Sequence, residues 1–281
     1  KQGGEDYDYF IFITYLYYHT YFGIRLFPEK SILIPLAHDE PPIYFDIFKD
    51  IFNLAKGIIY QTPEERDFVN KRFDNSEIYS KVIGIGIEEL DISNQEDFLK
   101  RNNIDYPYLL YAGRVDASKG CDELFDFFLR YKFIFDNDLK LLLIGKEVLK
   151  IPEHRDIIFL DFLSEGDKYS AMSSALVNVI PSPYESNSIS ALESFMCGRP
   201  ILVNGKSEVL KGHCMRSGGG LYYYNYNDFA GHLNYFKDDP NSATVMGERG
   251  RDYVLTRYNW KVIINNYLNF FQLLKPVGRK V

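Results

Sequence analysis

Two stretches of this chain set charged side chains where apolar runs give way to helical patterns. In residues 111–120 an apolar run ends in a short polar loop carrying Arg114 and Lys119, and an amphipathic pattern begins after Gly120. Backbone N–H groups at a helix start and two nearby cations suit a diphosphate, Arg114 as a planar fork and Lys119 as a point charge. The same residues also fit a solvated loop with two surface cations. In residues 181–200, Glu185 ends a strand and Glu193 falls one to two turns into the next helix. Carboxylates near strand C-termini accept strong hydrogen bonds from sugar and ribose hydroxyls. Structural alternatives are a helix N-terminal acid for Glu185, favoured by the dipole, and a surface acid for Glu193. A third stretch, 34–42, ends a strand with His38, Asp39 and Glu40 before Pro41 and Pro42 stop any helix. A histidine at such a strand end fits a structural role as well as a site.

These residues need a scaffold that gathers strand ends on one edge. From Tyr108 onward, short β-type runs at 108–112, 139–145, 157–162, 176–182, 200–204 and 220–224 alternate with helical patterns, the signature of βαβ units and a parallel sheet. Six strands make a complete doubly wound set. Cys121, Leu124, Phe125 and Phe128 recur at helical spacing and predict an amphipathic helix after Gly120. The first hundred residues show four strand candidates, 10–17, 31–37, 57–61 and 81–87. Thr62, Pro63 and Glu65 read as N-cap, first helical residue and capping-box acid of the helix after the third. The polar stretch 88–103 suits a connector, and 260–275 is a terminal amphipathic helix that needs a surface to cover. Because the chain enters a strand within about ten residues of Lys1, the expectation is a fragment lacking its first strands.

Composition narrows the function. Of 281 residues, 46% are hydrophobic and 25% charged, the balance of a folded protein. The net charge of -7 argues against a general nucleic-acid binder, which needs a broad basic surface. Cys121, Cys197 and Cys214 have no metal-ligand spacing and read as buried thiols in a reducing cytoplasm. No apolar run is long enough to span a bilayer and no signal-peptide pattern opens the chain, so the expectation is a cytoplasmic protein, associated at most peripherally with the inner face of the cytoplasmic membrane. The abundant aromatics, 23 Tyr and 22 Phe, mainly supply core volume.

Together, the Gly-Arg loop ending in Lys119-Gly120 and the acid pair Glu185 and Glu193 resemble glycosyltransferase family 4, close to its bacterial surface-polysaccharide members. The resemblance implies an α/β fold of GT-B type with two Rossmann-like doubly wound domains, the N-terminal one truncated. It divides the chain into a partial acceptor-side domain over 1–90, a linker over 91–104, a nucleotide-sugar-binding domain over 105–257 and a helix over 258–281 that crosses back. By resemblance Arg114 and Lys119 bind the donor diphosphate, Glu185 lies against the donor sugar, Glu193 binds the ribose, and His38 faces the sugar from across the interdomain cleft. Gly113, Ser186, Asn187 and Ser188 complete the donor set. Many relatives carry Gly-Phe-Gly after the first acid; this chain has Ser186-Asn187-Ser188 in that place.

The activity so implied is retaining, metal-independent transfer of a hexosyl group from a UDP- or GDP-linked sugar to a saccharide or lipid-linked saccharide, in surface polysaccharide or glycoconjugate synthesis. No cofactor is expected beyond the donor substrate. The alternatives are a non-catalytic nucleotide-sugar-binding subunit and a nucleotide-sugar epimerase of the same fold. His19, His154, His213 and His232 match no motif and read as surface or core residues.

Overall fold

The computed structural model describes residues 6–274 apart from Asp91 and Ser93. Two compact units divide the chain: Lys1–Gly86 with Trp260–Val281, and Ile87–Asn259.

The larger unit is a doubly wound sheet. Its strands are β5 (Tyr108–Ala112), β6 (Lys140–Ile144), β7 (Ile157–Phe159), β8 (Val177–Ile180), β9 (Ile201–Asn204) and β10 (Gly220–Tyr223), all parallel and ordered β10-β9-β8-β5-β6-β7. The helices that follow them are α5 (Cys121–Ile134), α6 (Glu165–Ser174), α7 (Ile189–Met196), α8 (Glu208–Ser217), α9 (Tyr226–Asp238) and α10 (Pro240–Arg257). Because strand side chains alternate between faces, Leu109, Leu141 and Leu143 pack with Phe128, Phe229 and Leu233 in one core, while Leu110, Leu142 and Ile144 pack with Ala171 and Met172 in another. Both faces are thus covered, which is why these strands read as continuous apolar runs. The second core also buries Phe98 and Ile104 from α4 (Gln95–Arg101) and its C-terminal turn, so the stretch that looked like a polar connector contributes a helix to this unit. Its two buried apolar residues are too few to show a helical period against seven polar neighbours. All three cysteines are buried and free.

The smaller unit carries a four-stranded parallel sheet, β1 (Phe10–Ile13), β2 (Ser31–Ile34), β3 (Gly57–Tyr60) and β4 (Ser80–Val82), in that order. Helices α1 (Tyr18–Leu26), α2 (Lys49–Leu54) and α3 (Pro63–Phe73) accompany it, with Ile24, Phe52 and Val69 packed on Leu33, Ile58 and Tyr60. Here the sequence overstates the strands. Thr14 and Leu36 adopt left-handed φ values of 61° and 52°, which break the extended backbone just past β1 and β2 although the apolar composition continues. The rest of the first run, residues 14–17, is a turn that leads into helix α1. At α3 the Thr62 hydroxyl caps the Glu65 N–H at 3.2 Å with Pro63 at the first helical position. The final helix, α11 (Trp260–Leu274), belongs to this unit: Asn266 accepts from Lys81 at 3.1 Å, Phe270 packs on Tyr79 at 5.1 Å, and Phe270 and Leu274 lie against Gly57. The expected end of that helix at Lys275 and the residues around Lys1 lie outside the described residues.

Candidate active site

In the larger unit the strand order reverses between the neighbouring strands β5 and β8. Ligands of doubly wound sheets bind at that switch point, outside the strand C-termini. The two chemistry-bearing stretches are the loops that leave these two strands.

After β5 the chain runs through Gly113 and Arg114 to Asp116, whose carboxylate accepts the Ser118 N–H at 2.9 Å and caps a 3-10 turn, Ala117–Lys119. That hydrogen bond, more than its nearby cations, lowers the Asp116 pKa. Arg114 is exposed and forms an ion pair with Asp116, its Nε 2.9 Å from Oδ2. The Tyr111 hydroxyl donates to the Arg114 carbonyl at 2.6 Å, pinning the backbone of the loop, and burial drives the pKa of that hydroxyl far up so that it stays a donor. Gly120, with φ 76°, then turns the chain into α5. Any Cβ at Gly120 would collide with the Pro181 carbonyl, so glycine here lets the β5 loop touch the β8 loop.

The β8 loop begins at Pro181. Glu185, which looked like a strand terminus, stands five residues beyond the last residue of β8, because the ladder ends at Ile180 while Pro181 and Pro183 continue the run without strand pairing. Its Oε1 accepts from Lys119 Nζ at 2.9 Å, with the Glu185 side chain 15% and the Lys119 side chain 37% exposed. Asn187 and Ser188 are buried, and Ser188 takes the left-handed φ of 67° at the N-cap of α7. Glu193 sits in the second turn of α7. Its Oε1 accepts from Lys168 Nζ at 2.9 Å and from the Tyr169 hydroxyl at 3.1 Å, both on α6. Lys119 and Glu185 therefore meet directly, Arg114 shares the loop of Lys119, and Glu193 belongs to an adjoining cluster with α6.

Lys168 and Tyr169 were missed in sequence because nothing local marks them. Their pairing with Glu193 spans 25 and 24 residues and depends on α6 and α7 packing side by side.

His38 lies in the smaller unit, just beyond β2, on the C-terminal edge of its sheet. Its Nδ1 stands 3.8 Å from Glu40, whose other oxygen accepts the Tyr15 hydroxyl at 2.8 Å, while Asp39 accepts the Tyr44 hydroxyl at 2.6 Å. The backbone beneath is held by Glu65. This fully buried carboxyl accepts the Ala37 N–H at 2.6 Å and the Gln61 N–H at 2.5 Å, so it ties the β2 and β3 loops together besides serving its own helix cap. Burial pushes its pKa up to about 8 against the opposing effect of these amides.

Of the histidines set aside in sequence, His154 lies beside Asp156, His232 donates to the Tyr222 carbonyl at 3.2 Å, and His213 is fully buried. Among the described residues no cluster of three or more His, Cys, Asp and Glu could hold a metal ion, and no helix is long and apolar enough to cross a membrane.

The sequence profile of the family "Glycosyl transferases group 1" matches residues 94–253, more than half of the chain and nearly all of the larger unit. The chain belongs to this family of glycosyltransferases. It is 25% identical over 240 residues to an uncharacterized glycosyltransferase of Methanocaldococcus jannaschii, covering 79% of this chain and 58% of that protein. Over 191 residues it is 25% identical to alpha-maltose-1-phosphate synthase of Mycobacterium tuberculosis, covering 59% of this chain and 48% of that protein. The chain spans about half the length of the curated relatives it matches. Among solved structures it resembles a sucrose-phosphate synthase from Thermosynechococcus elongatus, with a TM-score of 0.80 at 19% identity over 96% of this chain and 74% of the other. HepE of Anabaena, solved in complex with UDP, also gives a TM-score of 0.80, at 14% identity over 96% and 80%. These likenesses establish the GT-B fold with Rossmann-like domains.

Proposed function

We propose that this group 1 glycosyltransferase moves a hexosyl group from a nucleoside diphosphate sugar to a hydroxyl acceptor with retained anomeric configuration, without a divalent cation, and in the manner of family 4. The observation that carries the reading is the 2.9 Å contact between Lys119 and Glu185, made by the loops of the two strands that flank the switch point. Charge of both signs at that place matches what the reaction develops. When the bond between the sugar C1 and the diphosphate breaks, negative charge grows on the diphosphate, where Arg114 and Lys119 act, and positive charge grows on the sugar, where Glu185 acts. The acceptor oxygen bonds to C1 and its proton passes to the departing diphosphate. Glu193 is assigned to the ribose hydroxyls, with Lys168 and Tyr169 on one of its oxygens, and Ser186, Asn187 and Ser188 to the donor through their backbone. His38 is assigned to a hydroxyl of the transferred sugar.

A UDP or GDP conjugate is the proposed donor, and a saccharide or lipid-linked saccharide of a surface glycoconjugate the proposed acceptor. HepE binding UDP and UDP-glucose supports UDP as the first candidate. A thermal-shift panel of UDP, GDP, their sugar conjugates and the free nucleosides tests the reading. A true ligand at 100 times its dissociation constant stabilises the fold by about 2.7 kcal/mol. Product analysis with labelled donor, with and without chelator, then distinguishes transfer from rearrangement or mere binding. No shift with any nucleoside diphosphate would refute the proposed site.

A further inference from the structure

Behind the Ser186–Ser188 segment lies a buried polar chain that the proposed chemistry does not use. His213, on α8, is fully buried, and its Nε2 is 2.8 Å from the Asn187 carbonyl. A carbonyl only accepts, so Nε2 carries the proton and Nδ1 is left as the acceptor. The Tyr253 hydroxyl of α10, 3.2 Å from Nδ1, therefore donates to it. That hydroxyl in turn accepts from Arg216 Nε at 3.2 Å and from the Tyr258 hydroxyl at 3.2 Å. Every donor in this relay points the same way, from Arg216 and Tyr258 through Tyr253 to His213 and on to Asn187. Burial, aided by the Arg216 charge, lowers the His213 pKa to about 4, which keeps the imidazole neutral as the relay requires.

The carbonyl it holds belongs to a loop with an unusual need. Ser188 adopts the left-handed φ of 67° without being glycine, a conformation that persists only where the surroundings over-determine it. Ser188 is buried at 6% exposure and its side chain does not cap α7. The restraint on the neighbouring peptide from α8 is one such surrounding. Fixing the Asn187 carbonyl also fixes the peptide plane it shares with the Ser188 N–H, and so the direction in which that group points.

We propose that His213 is a positioning residue for the donor loop, gripping the Asn187 carbonyl so that the backbone of residues 186–188 and the adjacent Glu185 present a fixed surface to the diphosphate sugar. This rests on the donor-site reading given above.

The test uses His213→Leu, His213→Gln and Tyr253→Phe in the whole chain. Titration calorimetry measures UDP and uridine, or GDP and guanosine if the thermal-shift panel selects guanine, and amide exchange of residues 186–191 is followed without ligand. His213→Leu is expected to raise the Kd for the diphosphate at least tenfold, to leave the nucleoside Kd within about twofold, and to speed exchange in the loop. The amide of His213→Gln can donate to Asn187 and accept from Tyr253, so it is expected to recover most of the affinity. Tyr253→Phe is expected to give an intermediate loss. If His213→Leu does not fold, the Gln and Phe variants carry the comparison. The proposal is overturned if the folded variants keep wild-type loop exchange and diphosphate affinity, or lose nucleoside and diphosphate affinity equally. Failure of the wild-type protein to bind either diphosphate, with the loop exchange changes present, would instead sink the donor-site reading.

Discussion

Replacing Glu185 by Gln separates a carboxylate that acts on the sugar from one that acts on the nucleotide. Without ligand, Glu185 is the partner of Lys119 at 2.9 Å. A nucleoside diphosphate that recruits Lys119 must draw it from this pair, so the pair opposes binding. Two unit charges at this distance attract by about 1.4 kcal/mol in water and about 6 kcal/mol at an effective dielectric constant of 20. Lys119 is 37% exposed, however, and desolvation and side-chain ordering offset most of that attraction. Measured exposed pairs are worth about 0.2–1 kcal/mol. Glu185→Gln keeps the shape and removes the charge, so the affinity for UDP or GDP is expected to stay constant or rise by no more than about fivefold. Turnover is a different matter. If the carboxylate stabilises positive charge on the sugar only as the bond breaks, its loss should lower kcat by about 10²–10³, the usual size of one preorganised electrostatic contact. Calorimetry with the nucleoside diphosphate and chromatographic detection of transferred or hydrolysed sugar give the two quantities, and circular dichroism controls for folding. A tenfold loss of nucleoside diphosphate affinity would put Glu185 on the nucleotide instead. Near-normal turnover would refute its role on the sugar.

Further outcomes follow from the same geometry. Arg114→Ala and Lys119→Ala, made separately, should each weaken diphosphate binding about tenfold or more and leave nucleoside binding unchanged, since a hydrogen bond to a charged group is worth about 1.5–3 kcal/mol; equal losses for both ligands in calorimetry would mean the loop is misassigned. Glu193→Gln should weaken nucleoside and diphosphate alike with a smaller effect on kcat, and a selective loss of kcat would contradict a ribose role. Gly120→Ala should destabilise the fold by at least about 1 kcal/mol in urea unfolding and impair diphosphate binding, because its Cβ would press the β5 loop off the Pro181 carbonyl; an unchanged midpoint would disprove that close approach. Two buried groups set opposing pH dependences. Glu65 is raised from 4.5 to about 8, so the folded state keeps a proton that the unfolded chain releases, and its contribution is lost as pH rises through that window. His213 is lowered from 6.5 to about 4, so the unfolded chain takes a proton first and stability is lost as pH falls through that window. Between about pH 4.5 and 6.5 the two slopes cancel, and His213→Gln should expose a loss of about 1.4 kcal/mol per pH unit on raising the pH, measured by urea unfolding; an unaltered slope would contradict the burial of one group or the other.

Much of the larger unit was legible in the order of residues. The strand 108–112 is found at those positions as β5, and Cys121, Leu124, Phe125 and Phe128 all face the core. Parallel strands buried on both faces and amphipathic helices print their periods directly into composition, because burial is decided residue by residue. The Gly-Arg loop ending in Lys119-Gly120 leaves β5 where the sequence put it, whereas Glu185 stands five residues past β8 and Glu193 in the second turn of α7. Strand ends in the smaller unit were less legible. Pro35, Leu36 and the residues after Ile13 keep an apolar character after the ladder stops, and the backbone turn at Thr14 or Leu36 leaves no compositional mark.

Only the folded chain decided which charges meet. Lys119 reaches Glu185 across 66 residues, and Lys168 reaches Glu193 across 25, through the juxtaposition of separate loops and helices. Glu65 reads as a cap residue in sequence, yet its carboxyl group also ties Ala37, 28 residues away, to Gln61. His213 carries no motif at all, and its meaning comes from the Asn187 carbonyl 26 residues earlier and the Tyr253 hydroxyl 40 residues later. A hydrogen bond needs two groups within about 3 Å and in line, and for groups this far apart in the chain that condition is set by how the helices pack on the sheet, which no local spacing encodes.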